Sequence, residues 1–297
     1  MYVKVNNVRL FFDVEGAQLV PEGPIMRERP VLLCLHGGPG LDHSTLKPVL
    51  SSLSDITQVI YLDQRGHGRS DRSSREHWTL AQWADDVREF CNVLGIESPV
   101  VLGVSFGGYV AMTYAIRHSD HPSKLVLMST ALRGTGNLVR RQRVLDMFEH
   151  LGGREAREIM RRAFDDRSIE AFTDFLRVCG PLYTRRPPDP DVRMRTITNN
   201  EIVPFFERAD GEGVTFNYEK ELSAVRCPTL VIGGEDDPMT PITEMEEIIK
   251  VLPRGLGTFE KIPNCGHGPY RDAPAHLVRL LREFLGTHVA ETAQAHV

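Results

Sequence analysis

Short apolar runs without hydrophobic alternation recur along this 297-residue chain, at Val31–Leu35, Val59–Leu62, Val100–Val104, Leu125–Met128 and Thr229–Gly233. A strand with one wet face alternates apolar and polar residues. A strand that does not alternate is buried on both faces, the condition of a parallel sheet covered by helices on either side. Helix-period stretches lie between the runs, at Leu80–Leu94 and Gly107–Arg117, and Thr258–Ile262 with Ala275–Leu285 closes the series. Strand–helix alternation of this kind implies βαβ units and a doubly wound α/β sheet.

Three stretches depart from that pattern. Residues 1–16 alternate and end at Glu15-Gly16, which reads as an edge hairpin. Residues 17–29, with Pro21, Gly23, Pro24 and several charges, read as a loop. From 132 to 220 helical segments dominate (Leu138–Leu151, Glu155–Phe164, Ile169–Val178), with a Pro-rich break at 187–190. The expected organisation is an α/β core of residues 1–131 and 221–297 interrupted by a helical cap of residues 132–220. The tail after Gly286 is expected to fray.

Composition narrows the function classes. No apolar run approaches the ~20 residues of a membrane span, so no membrane partner is expected. The net charge of −5 argues against nucleic acid. The densest basic cluster, Arg140, Arg141 and Arg143, reads as a solvated helix face. The five cysteines (34, 91, 179, 227, 265) form no C-x-x-C pair and lack zinc spacing, which suggests buried thiols in a reducing compartment and no metal site. The N-terminus has no signal-peptide pattern. These features lead to an expectation of a cytoplasmic protein acting on a small-molecule substrate, with homo-oligomerisation left open.

Gly103-Val104-Ser105-Phe106-Gly107 matches G-x-S-x-G between a buried strand and a helix, the setting of a nucleophile elbow. Glycines on both sides let strand and helix approach a serine held in a sharp turn. A serine hydroxyl needs a base, itself oriented by an acid, and the chain order for this elbow is Ser, acid, His. The loop after Thr229–Gly233 offers Glu235, Asp236 and Asp237. His267, flanked by Gly266 and Gly268 between the last strand and the final helix, is the expected base. An oxyanion hole needs two N–H donors. Phe106, just after the serine, is one. Gly38 in His36-Gly37-Gly38-Pro39-Gly40 is the other, since Pro39 has no N–H. Asp63-Gln64-Arg65-Gly66-His67-Gly68-Arg69-Ser70 reads as a brace for the active-site loops.

Together the glycine loop at 36–40, the 63–70 segment and the serine elbow resemble the proline iminopeptidase branch of the α/β-hydrolases, over roughly residues 1–131 and 221–286. The resemblance implies an eight-stranded, mostly parallel sheet with an inserted cap, and no cofactor. It selects Asp237, four residues before Pro241, as the acid beside Ser105 and His267. The elbow departs from the Gly-Gly-Ser-Trp-Gly of those aminopeptidases, and Trp78 and Trp83 both precede it. Glu201 or Glu207 could supply negative charge from the cap, and Phe205 and Phe206 apolar surface. Glu201 and Phe205 are the expected substrate contacts. The expected activity is cleavage of a small ester, lactone or amide through an acyl-enzyme. Proline-type aminopeptidase, cofactor-free oxygenase and ligand-binding module are the alternatives.

Overall fold

The computed structural model of the chain describes residues 1–166 and 168–286. Eight strands form one sheet in the order β1-β2-β6-β5-β7-β8-β9-β10. They are β1 (Tyr2–Val5), β2 (Val8–Glu15), β5 (Val31–Leu35), β6 (Gln58–Leu62), β7 (Val100–Val104), β8 (Lys124–Met128), β9 (Thr229–Gly234) and β10 (Gly257–Ile262). The hairpin β1–β2 and the pair β2–β6 are antiparallel, and all other pairs are parallel.

Adjacent residues of the central strands enter different cores, as non-alternating runs require. Leu33, Leu35, Val101, Leu125, Leu127 and Val231 face one cluster with Trp83 and Phe106. Leu32, Cys34, Leu102, Val126, Met128 and Ile232 face the other, with Leu277 and Leu281 of the last helix, Pro274–Gly286. All five cysteines are buried and unpaired. The helix Leu80–Leu94 is held at its start by Thr79, whose side chain accepts from the Gln82 amide, and ends on Gly95 at φ 69°.

Residues 17–29 are not an irregular loop. β3 (Leu19–Glu22) and β4 (Ile25–Glu28) pair as a separate two-stranded hairpin around a glycine at φ 60°. Most of its residues are exposed, so no apolar alternation advertised it. Among the described residues between β8 and β9 the regular elements are helices joined by irregular segments, apart from one bridge between Arg133 and Asn217. The helix Leu138–Asp165 is broken at Gly153 (φ 73°), between the two helices expected there. This insertion has its own apolar cluster around Val144, Phe148, Met160 and Cys179, while its Ile202, Phe206 and Phe216 join the main core. The tail after Gly286 lies outside the described residues. Among those described, no helix is long and apolar enough to cross a membrane.

Candidate active site

β7 delivers Ser105 to a sharp turn, and the helix Phe106–Arg117 begins directly after it. Ser105 adopts φ 53°, ψ −115°, a conformation that costs a side-chain-bearing residue roughly 1–3 kcal/mol. The turn is held by hydrogen bonds from its amide to the Met128 carbonyl (2.9 Å) and from the Thr130 hydroxyl to its carbonyl (2.9 Å). Glycines make the geometry possible. A Cβ on Gly103 would collide with the Gly107 carbonyl, and one on Gly107 with the Leu35 carbonyl.

Ser105 Oγ lies 3.0 Å from His267 Nε2. His267 Nδ1 lies 2.9 and 3.0 Å from the two oxygens of Asp237. A carboxylate only accepts, so Nδ1 carries the imidazole proton and Nε2 accepts from the serine. Asp237 is fully buried. It is fixed by the amides of Met239 and Thr240 (2.9 Å each) and the Thr240 hydroxyl (2.6 Å). The neighbouring carboxylates point elsewhere: Asp236 pairs with Arg185 (2.7 Å) and Glu235 with Lys261 (3.2 Å). The His267 amide donates to the Tyr183 carbonyl of the insertion (2.6 Å), and the Tyr183 ring meets the imidazole edge-on at 5.4 Å.

A cavity of about 270 Å³ opens in front of Ser105 and His267. The glycine loop forms part of its wall, since a Cβ on Gly37 would lie 3.5 Å from Ser105 Cβ. Gly38 lines it at φ 139°. Phe106 opens its helix, so its N–H has no carbonyl partner four residues back within that helix. The Phe106 side chain is fully buried against Trp83, Phe206 and His67.

Glu201 and Phe205 lie outside this cavity. Glu201 is exposed and pairs with Arg75 (3.0 Å), while Phe205 packs on Trp78 and under the Arg208 guanidinium. The insertion supplies Thr135, Arg140, Tyr183 and Glu207 instead. The reading of Arg140–Arg143 as a solvated face also fails. Arg140 is only 2% exposed, Arg143 pairs with Glu244 and Glu247, and Arg141 pairs with Asp165. One sequence signal could have found Arg140: with Val144 and Phe148 it forms an i, i+4, i+8 stripe, the buried face of its helix.

The 63–70 segment ties loops together. Asp63 accepts from His43 Nδ1 (2.7 Å) and from the Arg69 amide (2.9 Å), and burial is outweighed by these donors, which hold its carboxyl below the usual range. Arg65 and Asp86 form a buried bidentate pair (2.6 and 2.7 Å). Among the described residues, no group of three or more His, Cys, Asp or Glu side chains is arranged to hold a metal.

Comparison with known proteins agrees with this architecture. A family profile described as the alpha/beta hydrolase fold matches residues 30–274. Proline iminopeptidase PfmaB of Pestalotiopsis fici is 29% identical over 285 residues, covering 93% of this chain and 98% of its own length. A putative carbamate hydrolase, RutD, of Caulobacter sp. strain K31 is 26% identical, covering 86% and 96%. Among solved structures, a thermophilic esterase from Thermogutta terrifontis superposes with a TM-score of 0.65 at 26% identity, over 96% of this chain and 98% of the other.

Proposed function

Because the chain belongs to the alpha/beta hydrolase family, we propose that it cleaves a small ester, lactone or amide through an acyl-enzyme on Ser105, with His267 as base and Asp237 as the acid that orients it. The observation that carries this reading is the continuous hydrogen-bonded path Ser105 Oγ–His267 Nε2 and His267 Nδ1–Asp237, ending in a buried carboxylate.

In this mechanism Ser105 Oγ attacks the substrate carbonyl carbon as its proton passes to His267 Nε2. The carbonyl π bond becomes an oxyanion, which the amides of Gly38 and Phe106 receive. The imidazolium, facing Asp237, gives its proton to the leaving alcohol or amine as the carbon–heteroatom bond breaks. A water then attacks the acyl-enzyme, its proton taken by His267, and Ser105 regains a proton as the acid product leaves. The names of the relatives span a peptidase, a carbamate hydrolase and an esterase, consistent with one nucleophilic apparatus serving different acyl groups.

The test is a fluorophosphonate probe with peptide mapping, run beside Ser105→Ala. The probe is expected to label Ser105 in the native chain, and the alanine variant to lose labelling and ester turnover together. Turnover retained by Ser105→Ala at near the native rate would overturn the proposal.

A further inference from the structure

Three side chains of fixed charge line the cavity: Arg140, Glu207 and Arg271. The first two answer each other. Arg140 is enclosed by the protein, and the opposing effect of burial is outweighed by Tyr109, Glu244 and Glu207, which hold its guanidinium charged. Glu207 also accepts from the Thr135 hydroxyl (2.9 Å).

Arg271 has no such counterpart. It lies in the short helix Pro269–Asp272, directly after His267, and a Cβ on Gly268 would come within 3.6 Å of Arg271 Cβ. Its guanidinium donates to the Thr184 hydroxyl (3.1 Å), whose own proton goes to the Arg186 carbonyl (2.9 Å). Thr184 lines the cavity as well. Among the described residues Arg271 has no carboxylate partner. The acidic groups around it are committed elsewhere: Asp272 to three backbone amides, Asp236 to Arg185 and Asp237 to His267. Arg271 is half-buried, and a charge so placed is screened less than one on the open surface.

The cavity therefore carries one cation that no protein group balances. A guanidinium in that state favours an anionic acceptor, and its planar fork matches a carboxylate. Resting on the hydrolase reading above, we infer that the substrate carries a carboxylate-type anion, received by Arg271 with Thr184 holding the guanidinium in place. An aminopeptidase substrate would bring the opposite charge, a free α-ammonium, to the same cavity.

The experiment measures kcat/KM by acid release in a pH-stat for two sets of esters of equal length. In one set the acyl chain, in the other the alcohol, ends in a carboxylate, a carboxamide or an ammonium. Each rate is expressed as a ratio to the carboxamide ester of the same set and the same variant. In at least one set the native enzyme is expected to favour the carboxylate by about fivefold, the upper end for a partly exposed ion pair. The set that shows it identifies the part of the substrate that Arg271 receives. The preference is expected in KM, as for binding equal in ground and transition states, and it should shrink as salt is added. Arg271→Gln is expected to bring the ratio to about one, and Arg271→Lys to keep part of the preference. A purely structural Arg271 would instead change all the esters of a set alike. A carboxylate ester no better than the carboxamide in both sets, a native preference for ammonium, or a preference intact in Arg271→Gln would overturn the inference. Probe labelling of Ser105 without a carboxylate preference overturns the inference alone, whereas absent labelling overturns the hydrolase reading and the inference with it.

Discussion

Ser105 holds φ 53° only because its neighbours leave no other arrangement: Met128 and Thr130 bind its backbone, and glycines on both sides admit the carbonyls of Gly107 and Leu35. The strain therefore has a specific point of failure. Gly107→Ala puts a methyl group into the Leu35 carbonyl, a backbone atom with nowhere to go. Overpacking of this kind costs roughly 1–3 kcal/mol, occasionally more, and here it also displaces the helix that carries the Phe106 amide. Lower chemical stability in denaturant titration and loss of esterase activity are both expected; an unchanged transition midpoint would mean that the strand–helix approach is looser than the geometry indicates. Asp237→Asn tests a different property, the tautomer of His267. An amide there can donate to Nδ1, which moves the imidazole proton to Nε2 and removes the acceptor for the serine. The expected loss in kcat is of order 10⁴-fold, as in the equivalent change in a serine protease triad. A loss of less than tenfold would return the choice of acid to Asp236 or Glu235.

At the scale of elements, the insertion is tied to the core on two sides of the cavity. On one, the Asn199 amide donates to the Gly40 carbonyl (2.7 Å), and the Ile197 amide to Asp42 (2.9 Å). On the other, the carboxylate of Asp272 accepts from the amides of Arg185 and Arg186 in the insertion (3.0 and 2.9 Å) and of Gly266 beside His267 (2.8 Å). One buried side chain thus spaces Tyr183 and His267. Asp272→Asn can accept on one oxygen only and brings an NH₂ toward amide donors, so it should loosen the 183–186 segment. A drop in kcat of roughly 10–100-fold is expected, the scale of two lost charge-assisted bonds partly relaxed. Faster hydrogen exchange is expected at Arg185, Arg186 and Gly266; native exchange there with reduced kcat would place the defect elsewhere. These ties also explain what was legible. The central parallel strands were readable because burial on both faces leaves a local mark, and the serine and the three carboxylates because each follows such a strand; His267 follows the mostly exposed edge strand β10 and was legible from its flanking glycines and the final helix beyond it. The 19–28 hairpin left no mark because its side chains face water. Arg140 was not assigned to the pocket because its burial depends on partners distant in the chain, and of the two cap carboxylates named, Glu201 was chosen over Glu207. Glu201 and Glu207 lie at opposite ends of one short helix, Ile202–Phe206, whose orientation is fixed by the packing of Ile202 and Phe206 into the core.

Over the whole molecule, insertion and core close around buried polar groups whose charge state the fold must hold. Ion pairs join the two parts: Arg143 to Glu244 and Glu247 (2.9 and 2.7 Å), and Arg133 to Glu247. Behind the elbow, His67 is fully buried, stacked on Phe106 (5.3 Å) and close to His36 (5.0 Å). Its Nδ1–H donates to the Arg65 carbonyl (2.9 Å), while Nε2 has no partner. Burial, then the neighbouring His36, pushes its pKa down to about 3 from the ordinary 6.5. Burial lowers His36 as well. The sign follows from proton counting. Below pH 6.5 the unfolded chain takes up a proton at His67 that the folded chain refuses until about pH 3. Stability is therefore fully present above pH 6.5 and is lost as pH falls toward 3, by at most about 1.4 kcal/mol per pH unit for one site. Carboxylates held below their usual range, such as Asp63, add the same sign but only in the more acidic part of that window. Thermal unfolding followed between pH 8 and 4.5 should show a plateau and then a decline beginning near 6.5. His67→Phe keeps the stacked ring, and the Arg65 carbonyl still accepts from Trp83 Nε1 (2.9 Å), so its decline should be shallower whatever its absolute stability. An identical slope in the variant would assign the acid sensitivity to groups other than His67, with His36 next to be replaced.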